Sequence, residues 1–279
     1  MTASIPTKKE TTVTANPATE PVLDVRALKK TYLSKGRAVE AVQDLTFAVR
    51  PGEFVCIVGP SGAGKTTLLR CVGGLLEPTS GEVVLDGKRV SGPPADMAVV
   101  FQEYGRSLFP WLTVAQNVEL PLKEKGLSRS RRRELVDEAL SAVGLSDFAQ
   151  SHPWQLSGGM QQRVAIARAV AYEPKVLMMD EPFAAVDAQT RGDLEDLVRA
   201  LWSRLGITVL FVTHDIDESV YLANRILVLS NSPTVVLGVV DVSLPAVRDQ
   251  LETRSTPEFA ELRAEVYRLV QAAKRGERP

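Results

Sequence analysis

The stretch FVCIVGPSGAGKTTLLRCVGG, over 54–74, restricts the fold more than any other part of the chain. Its first five residues, Phe54 to Val58, are continuously apolar, as in a strand buried on both faces. TTLLRCVGG reads as a helix, and between the two lies GPSGAGKT, a glycine-rich phosphate loop. Strand, loop and helix in that order are the context that gives such a motif its meaning. The glycines let backbone N–H groups curl round phosphate oxygens, and the helix N-terminus adds positive potential. This assigns Gly59, Pro60, Ser61, Gly62, Ala63, Gly64, Lys65, Thr66 and Thr67 to a nucleotide. Lys65 is expected to reach the β- and γ-phosphates, and the Thr66 hydroxyl to bind Mg²⁺.

A second acidic element suits the same chemistry. In VLMMDEP a hydrophobic strand delivers Asp180 to its C-terminal end, where open α/β sheets place ligands. Asp180 can hold Mg²⁺ and the adjacent Glu181 can polarise an attacking water, leaving hydrolysis mostly to positioning and electrostatics. His214 ends a further apolar strand in ITVLFVTHD, expected beside the Asp180 strand, so its ring faces the γ-phosphate or that water. Gln102 follows MAVVF at another strand end, and its amide can bind Mg²⁺ or water. Less expected is a second glycine pair, Gly158 and Gly159, at the head of an apolar helix in LSGGMQQRVAIARA.

Around these motifs the hydrophobic period changes along the chain. VLDVRAL (22–28) and LTFAV (45–49) alternate as half-buried antiparallel strands do, and EPTSGEVVLDGK holds a turn and a further strand. From about 103 to 172 the pattern is helical. There Ser128 is a candidate cap, Leu135, Ala139, Leu140 and Val143 share a face, and Arg131 to Arg133 are read as a solvated helix start. Leu194, Leu197, Val198, Leu201 and Leu205 predict another helix stopped by Gly206, with Trp202 as packing. RILVLS and TVVLGVVDV follow as strands. A last amphipathic helix carries Phe259, Leu262, Val266 and Leu269 or Val270. The fold class is therefore α/β, an open core with an N-terminal antiparallel β subdomain and an inserted α-helical subdomain; with its phosphate loop it resembles a P-loop NTPase (RecA-like) core. The expected division is a disordered tail over 1–21, a nucleotide-binding domain over 22–245 with the insertion near 103–172, and a helical extension over 246–279.

Composition narrows the partners. A net charge of −1 shows no global footprint for nucleic acid. The two cysteines, Cys56 and Cys71, make neither a disulfide framework nor a metal site and are read as core packing. No run reaches the ~18 apolar residues that span a bilayer. If a membrane is involved, a partner reaches it.

Taken in order, the phosphate loop, Gln102, LSGGMQQR, LMMDEP and VTHD resemble the ATP-binding subunits of ABC transporters over roughly 22–245. The resemblance implies ATP and Mg²⁺ as cofactors. It matches Tyr32 to the aromatic that stacks on adenine and Gln102 to the loop that senses Mg²⁺ and the membrane partner. Ser157, Gly158 and Gly159 match the signature, and Asp187 the acid of the loop linking two sites. That loop usually reads Ser-Ala-Leu-Asp but here is AAVD, so a hydroxyl is missing at Ala184. The implied assembly is a head-to-tail homodimer, or a paired cassette, in which the signature of one protomer meets ATP on the other. RSLFPWLTVAQNV and LPAVRDQLETRSTPEFAELR are similar to the nitrate, sulfonate and taurine importer branch. This implies a permease, an extracytoplasmic solute-binding protein and a place on the cytoplasmic face of a bacterial membrane. Phe109 and Trp111 are candidates for a groove that receives a permease helix; packing within the insertion is the alternative. A soluble ABC ATPase acting on ribosomes or DNA is the competing functional reading.

Overall fold

The computed structural model describes residues 20–34, 37–102 and 104–277; most of the expected 1–21 tail lies outside them. β1 (Leu23–Ser34) and β2 (Arg37–Val49) form a long antiparallel hairpin, with Leu23 opposite Val49 and Tyr32 opposite Val39. After β3 (Phe54–Val58) and the helix α1 (Lys65–Val72), the chain returns to that layer. There β4 (Ser80–Leu85) pairs antiparallel with β1, and β5 (Lys88–Arg89) closes a four-stranded sheet ordered β2-β1-β4-β5.

The second sheet has six strands. β3 is joined there by β6 (Met97–Val100), β7 (Val176–Asp180), β8 (Thr208–Val212), β9 (Arg225–Leu229) and β10 (Val236–Asp241), in the order β10-β9-β3-β8-β7-β6. All neighbours are parallel except β10, which runs antiparallel on the β9 edge. Every residue of β3, β7 and β8 is buried. Because side chains alternate between faces, each strand feeds two cores. Phe54, Cys56, Leu177, Met179, Val209 and Phe211 pack under the helices. Val55, Ile57, Val176, Met178, Leu210 and Val212 pack against α1 and the four-stranded layer. Both cysteines are free and buried.

The helices α2 (Tyr104–Ser107), α3 (Val114–Glu119), α4 (Arg129–Ala142) and α5 (Gly158–Ala171) all fall between β6 and β7. Ser128 caps α4 by accepting the Arg131 N–H at 3.2 Å, and Leu135, Ala139, Leu140 and Val143 are buried. The basic run at the start of α4 is met by carboxylates: Arg132 by Glu119 at 2.9 Å, Arg131 by Glu134 and Glu173. α6 (Ala188–Leu205) buries Leu194, Val198 and Leu201. Leu205 departs from the predicted stripe and is exposed, because the left-handed Gly206 (φ 63°) ends the helix there. Trp202 packs edge-on to Phe54, and its indole N–H donates to the Gly52 carbonyl at 3.0 Å. After α7 (Ile216–Leu222), α8 (Pro257–Lys274) is capped by Thr256. It buries Phe259, Val266, Val270 and Ala273 against α7, β9 and β10. Among the described residues, no helix is long and apolar enough to cross a membrane.

Candidate functional site

Strand order explains how distant motifs meet. β8 lies between β3 and β7, so the C-terminal ends of all three open on one edge. The phosphate loop leaves β3, Asp180 ends β7 with Glu181 just after it, and Thr213 and His214 follow β8. Gly59 to Thr67, Gln102, Glu181 and His214 line one cavity of about 930 Å³.

The loop's shape needs its glycines at two places. Gly62 and Gly64 have φ of 80° and 72°, and a Cβ on Gly64 would sit 2.9 Å from Thr234 Oγ1 and 3.0 Å from the Ala41 carbonyl. Thr234 is fully buried and its hydroxyl, with one proton to donate, lies within hydrogen-bonding distance of both the Ala41 and Ala63 carbonyls, which clamps the loop to the layer beneath. The Lys65 ammonium donates to the Gly59 and Pro60 carbonyls at 3.0 and 3.1 Å and lies 3.7 Å from Glu181 Oε1. Burial pushes its pKa down, opposed by the carboxylates of Glu181 and Asp180.

Asp180 is buried, and burial followed by repulsion from Glu181 raises its pKa against a hydrogen bond from Thr66 and the charge of Lys65. Thr66, Gln102 and Asp180 also converge on a second cavity of about 390 Å³ beside Leu75 and Phe101. A buried carboxylate next to a hydroxyl and an amide oxygen is a hard oxygen donor set, which suits Mg²⁺. Glu181 stands in the left-handed region, φ 43°, with its N–H on the Val212 carbonyl at 2.8 Å. Non-glycine residues rarely adopt this conformation and it is costly, so the β7–β8 pairing holds the carboxylate where it is. His214 Nδ1 lies 3.1 Å from Glu181 Oε2.

Tyr32 is partly exposed, its hydroxyl 3.3 Å from Thr67 Oγ1. It does not line the cavity, but its hairpin partner Val39 does. Ser157 caps α5 by accepting the Met160 N–H at 3.3 Å, and Asp187 caps α6 by accepting the Thr190 N–H at 3.0 Å. That N–H and the Thr190 hydroxyl hold the Asp187 carboxyl below its ordinary range. A Cβ on Gly159 would come 2.5 Å from Thr190 Cγ2, so the heads of α5 and α6 touch through a glycine. None of Ser157, Gly158, Gly159 and Asp187 lines the cavity of the phosphate loop. Phe109 and Trp111 meet edge-on at 5.3 Å, and Trp111 is 69% exposed, so packing inside the insertion does not describe it. Sequence reasoning passed over Ala41, Ser232, Val270 and Lys274, which line the phosphate-loop cavity from other elements. Only their apolar or amphipathic context was visible, and it says nothing of that neighbour.

The family model for ABC transporters matches residues 42–184. The chain belongs to the ABC transporter family. As an ABC ATPase it binds and hydrolyses ATP. It is 43% identical to the nitrate import ATP-binding protein of Synechocystis over 89% of this chain and 95% of that one. It is 42% identical to a Synechocystis bicarbonate transport ATP-binding protein over 87% of this chain and 37% of that protein. The dimeric structure of a post-hydrolysis state of the ATP-binding cassette MJ0796 bound to ADP and Pi matches with a TM-score of 0.70 at 36% identity, covering 80% of this chain and all of that one.

Proposed function

We propose that this ABC protein is the ATP-hydrolysing subunit of an importer for a small solute such as nitrate, a sulfonate or taurine, coupled to a membrane permease on the cytoplasmic face. The observation that carries the reading is the separation within one protomer. Lys65, Glu181 and His214 share a cavity, whereas Ser157, Gly159 and Asp187 form a joined patch outside it. A second protomer placed head to tail would complete the site. A neighbour solved as a dimer supports this. Relatives named for nitrate import and bicarbonate transport support a small anionic solute.

The residues divide the work. Loop N–H groups wrap the phosphates, and Lys65 exchanges two carbonyls for phosphate oxygens. Glu181 polarises the attacking water while His214 holds its second oxygen. Thr66, Asp180 and Gln102 would hold Mg²⁺, which when bound offsets charge on the β- and γ-phosphates. The Ser157 hydroxyl accepts a helix N–H but keeps its own proton to donate across the dimer to a γ-phosphate. Ser157→Arg tests this: ATP binding by the monomer should stay intact while turnover is abolished. Retained turnover would refute the shared site.

A further inference from the structure

The phosphate-loop cavity has a wall from the far end of the chain. Val270 and Lys274 of α8 line it together with Gly59 to Thr67, Glu181 and His214. This end of α8 is held in place. Val266 and Ala273 are fully buried, and Leu269 packs on Gly238 of β10, where a Cβ would meet it at 3.0 Å. The Asn231 amide donates to the Lys274 carbonyl at 3.4 Å, next to Ser232, which lines the same cavity.

The Lys274 ammonium forms no ion pair or hydrogen bond among the described residues, while nearby cations are paired, Arg263 with Asp217 and Arg275 with Glu277, both at 2.7 Å. A basic residue in a last turn offsets the negative helix end, which accounts for the residue type. It does not account for an unpaired ammonium on a residue that lines a site built for a polyphosphate. Among the lining residues described, the only other ammonium is Lys65, and it faces two carboxylates.

We infer that Lys274 is a nucleotide-binding residue: its ammonium pairs with the triphosphate of bound ATP and ties α8 to nucleotide occupancy. The inference rests on ATP binding at the phosphate loop. A flexible four-carbon stem lets the point charge reach a phosphate without moving the helix.

Calorimetric titration of the full chain with ATP and with adenosine tests it, using Lys274→Ala, Lys274→Glu, Lys274→Arg and Lys65→Ala. Lys274→Ala should raise the ATP Kd about fivefold at low salt, Lys274→Glu further, and Lys274→Arg little. Adenosine binding and the thermal midpoint should not change. The loss should shrink at high salt, since the ammonium is exposed. An unchanged ATP Kd in Lys274→Ala, or an equal loss for ATP and adenosine, would overturn the inference. If instead Lys65→Ala binds ATP normally, the phosphate-loop reading itself fails.

Discussion

Gly159→Ala is a sharp probe of how the signature is built. The new Cβ would lie 2.5 Å from Thr190 Cγ2, where ordinary contact begins at 3.4 Å, so the methyl must yield by 0.9 Å (3.4 − 2.5). Thr190 cannot simply turn away. Its hydroxyl donates to Asp187 Oδ2 at 2.7 Å and its N–H to Oδ1 at 3.0 Å. Overpacking of this kind costs about 1–3 kcal/mol, while alanine in place of glycine within a helix gains up to about 1 kcal/mol. The net expectation is a loss of between about 0 and 3 kcal/mol. Thr190→Ser removes the methyl and keeps the hydroxyl. In that background the clash disappears and Gly159→Ala should become neutral or stabilising by up to about 1 kcal/mol. Denaturant unfolding of the four proteins measures the cycle. Turnover should follow it, falling about tenfold in Gly159→Ala if some 1.4 kcal/mol of the strain is felt in the competent dimer, and recovering with Thr190→Ser. The same effect of Gly159→Ala in both backgrounds would show that the Thr190 contact is not what demands a glycine.

Glu181→Gln keeps the side chain's shape but removes the base. It should retain ATP, trap a nucleotide-bound dimer visible by gel filtration, and lower turnover by about 10²–10⁴-fold; undiminished turnover would remove Glu181 from the reaction. Glu218, in the first turn of α7, has its pKa raised by burial from 4.5 to about 8 despite a hydrogen bond to Thr213. The folded chain therefore keeps a proton there that the unfolded chain releases above pH 4.5. This contribution is fully present below pH 4.5 and is lost as pH rises to about 8, at about 1.4 kcal/mol per unit between those values. Glu218→Gln should flatten that part of the stability profile, and an unaltered slope in denaturant midpoints between those two pKa values would refute the assignment. Alanine at both Phe109 and Trp111 should leave ATP binding unchanged and weaken copurification with the permease; normal copurification would sink the groove.

The sequence alone determined those features whose chemistry is local. A phosphate loop is a matter of which residues can turn sharply between a strand and a helix, so Gly59 to Thr67 could be read without coordinates. So could Asp180 and Glu181 after an apolar strand, and the cap at Ser128. Even the placement of the His214 strand beside the Asp180 strand was legible, and the two pair as β8 and β7. The extent of the β1–β2 hairpin and the exposure of Leu205 were not. Pairing and helix termination override the hydrophobic stripe at element ends. Only the tertiary structure decided that Gly159 abuts Thr190, that Thr234 clamps the loop from beneath, and that Lys274 stands at the nucleotide cavity. These contacts join segments far apart in the chain. They depend on how whole elements dock, and no local pattern of residue types encodes that docking.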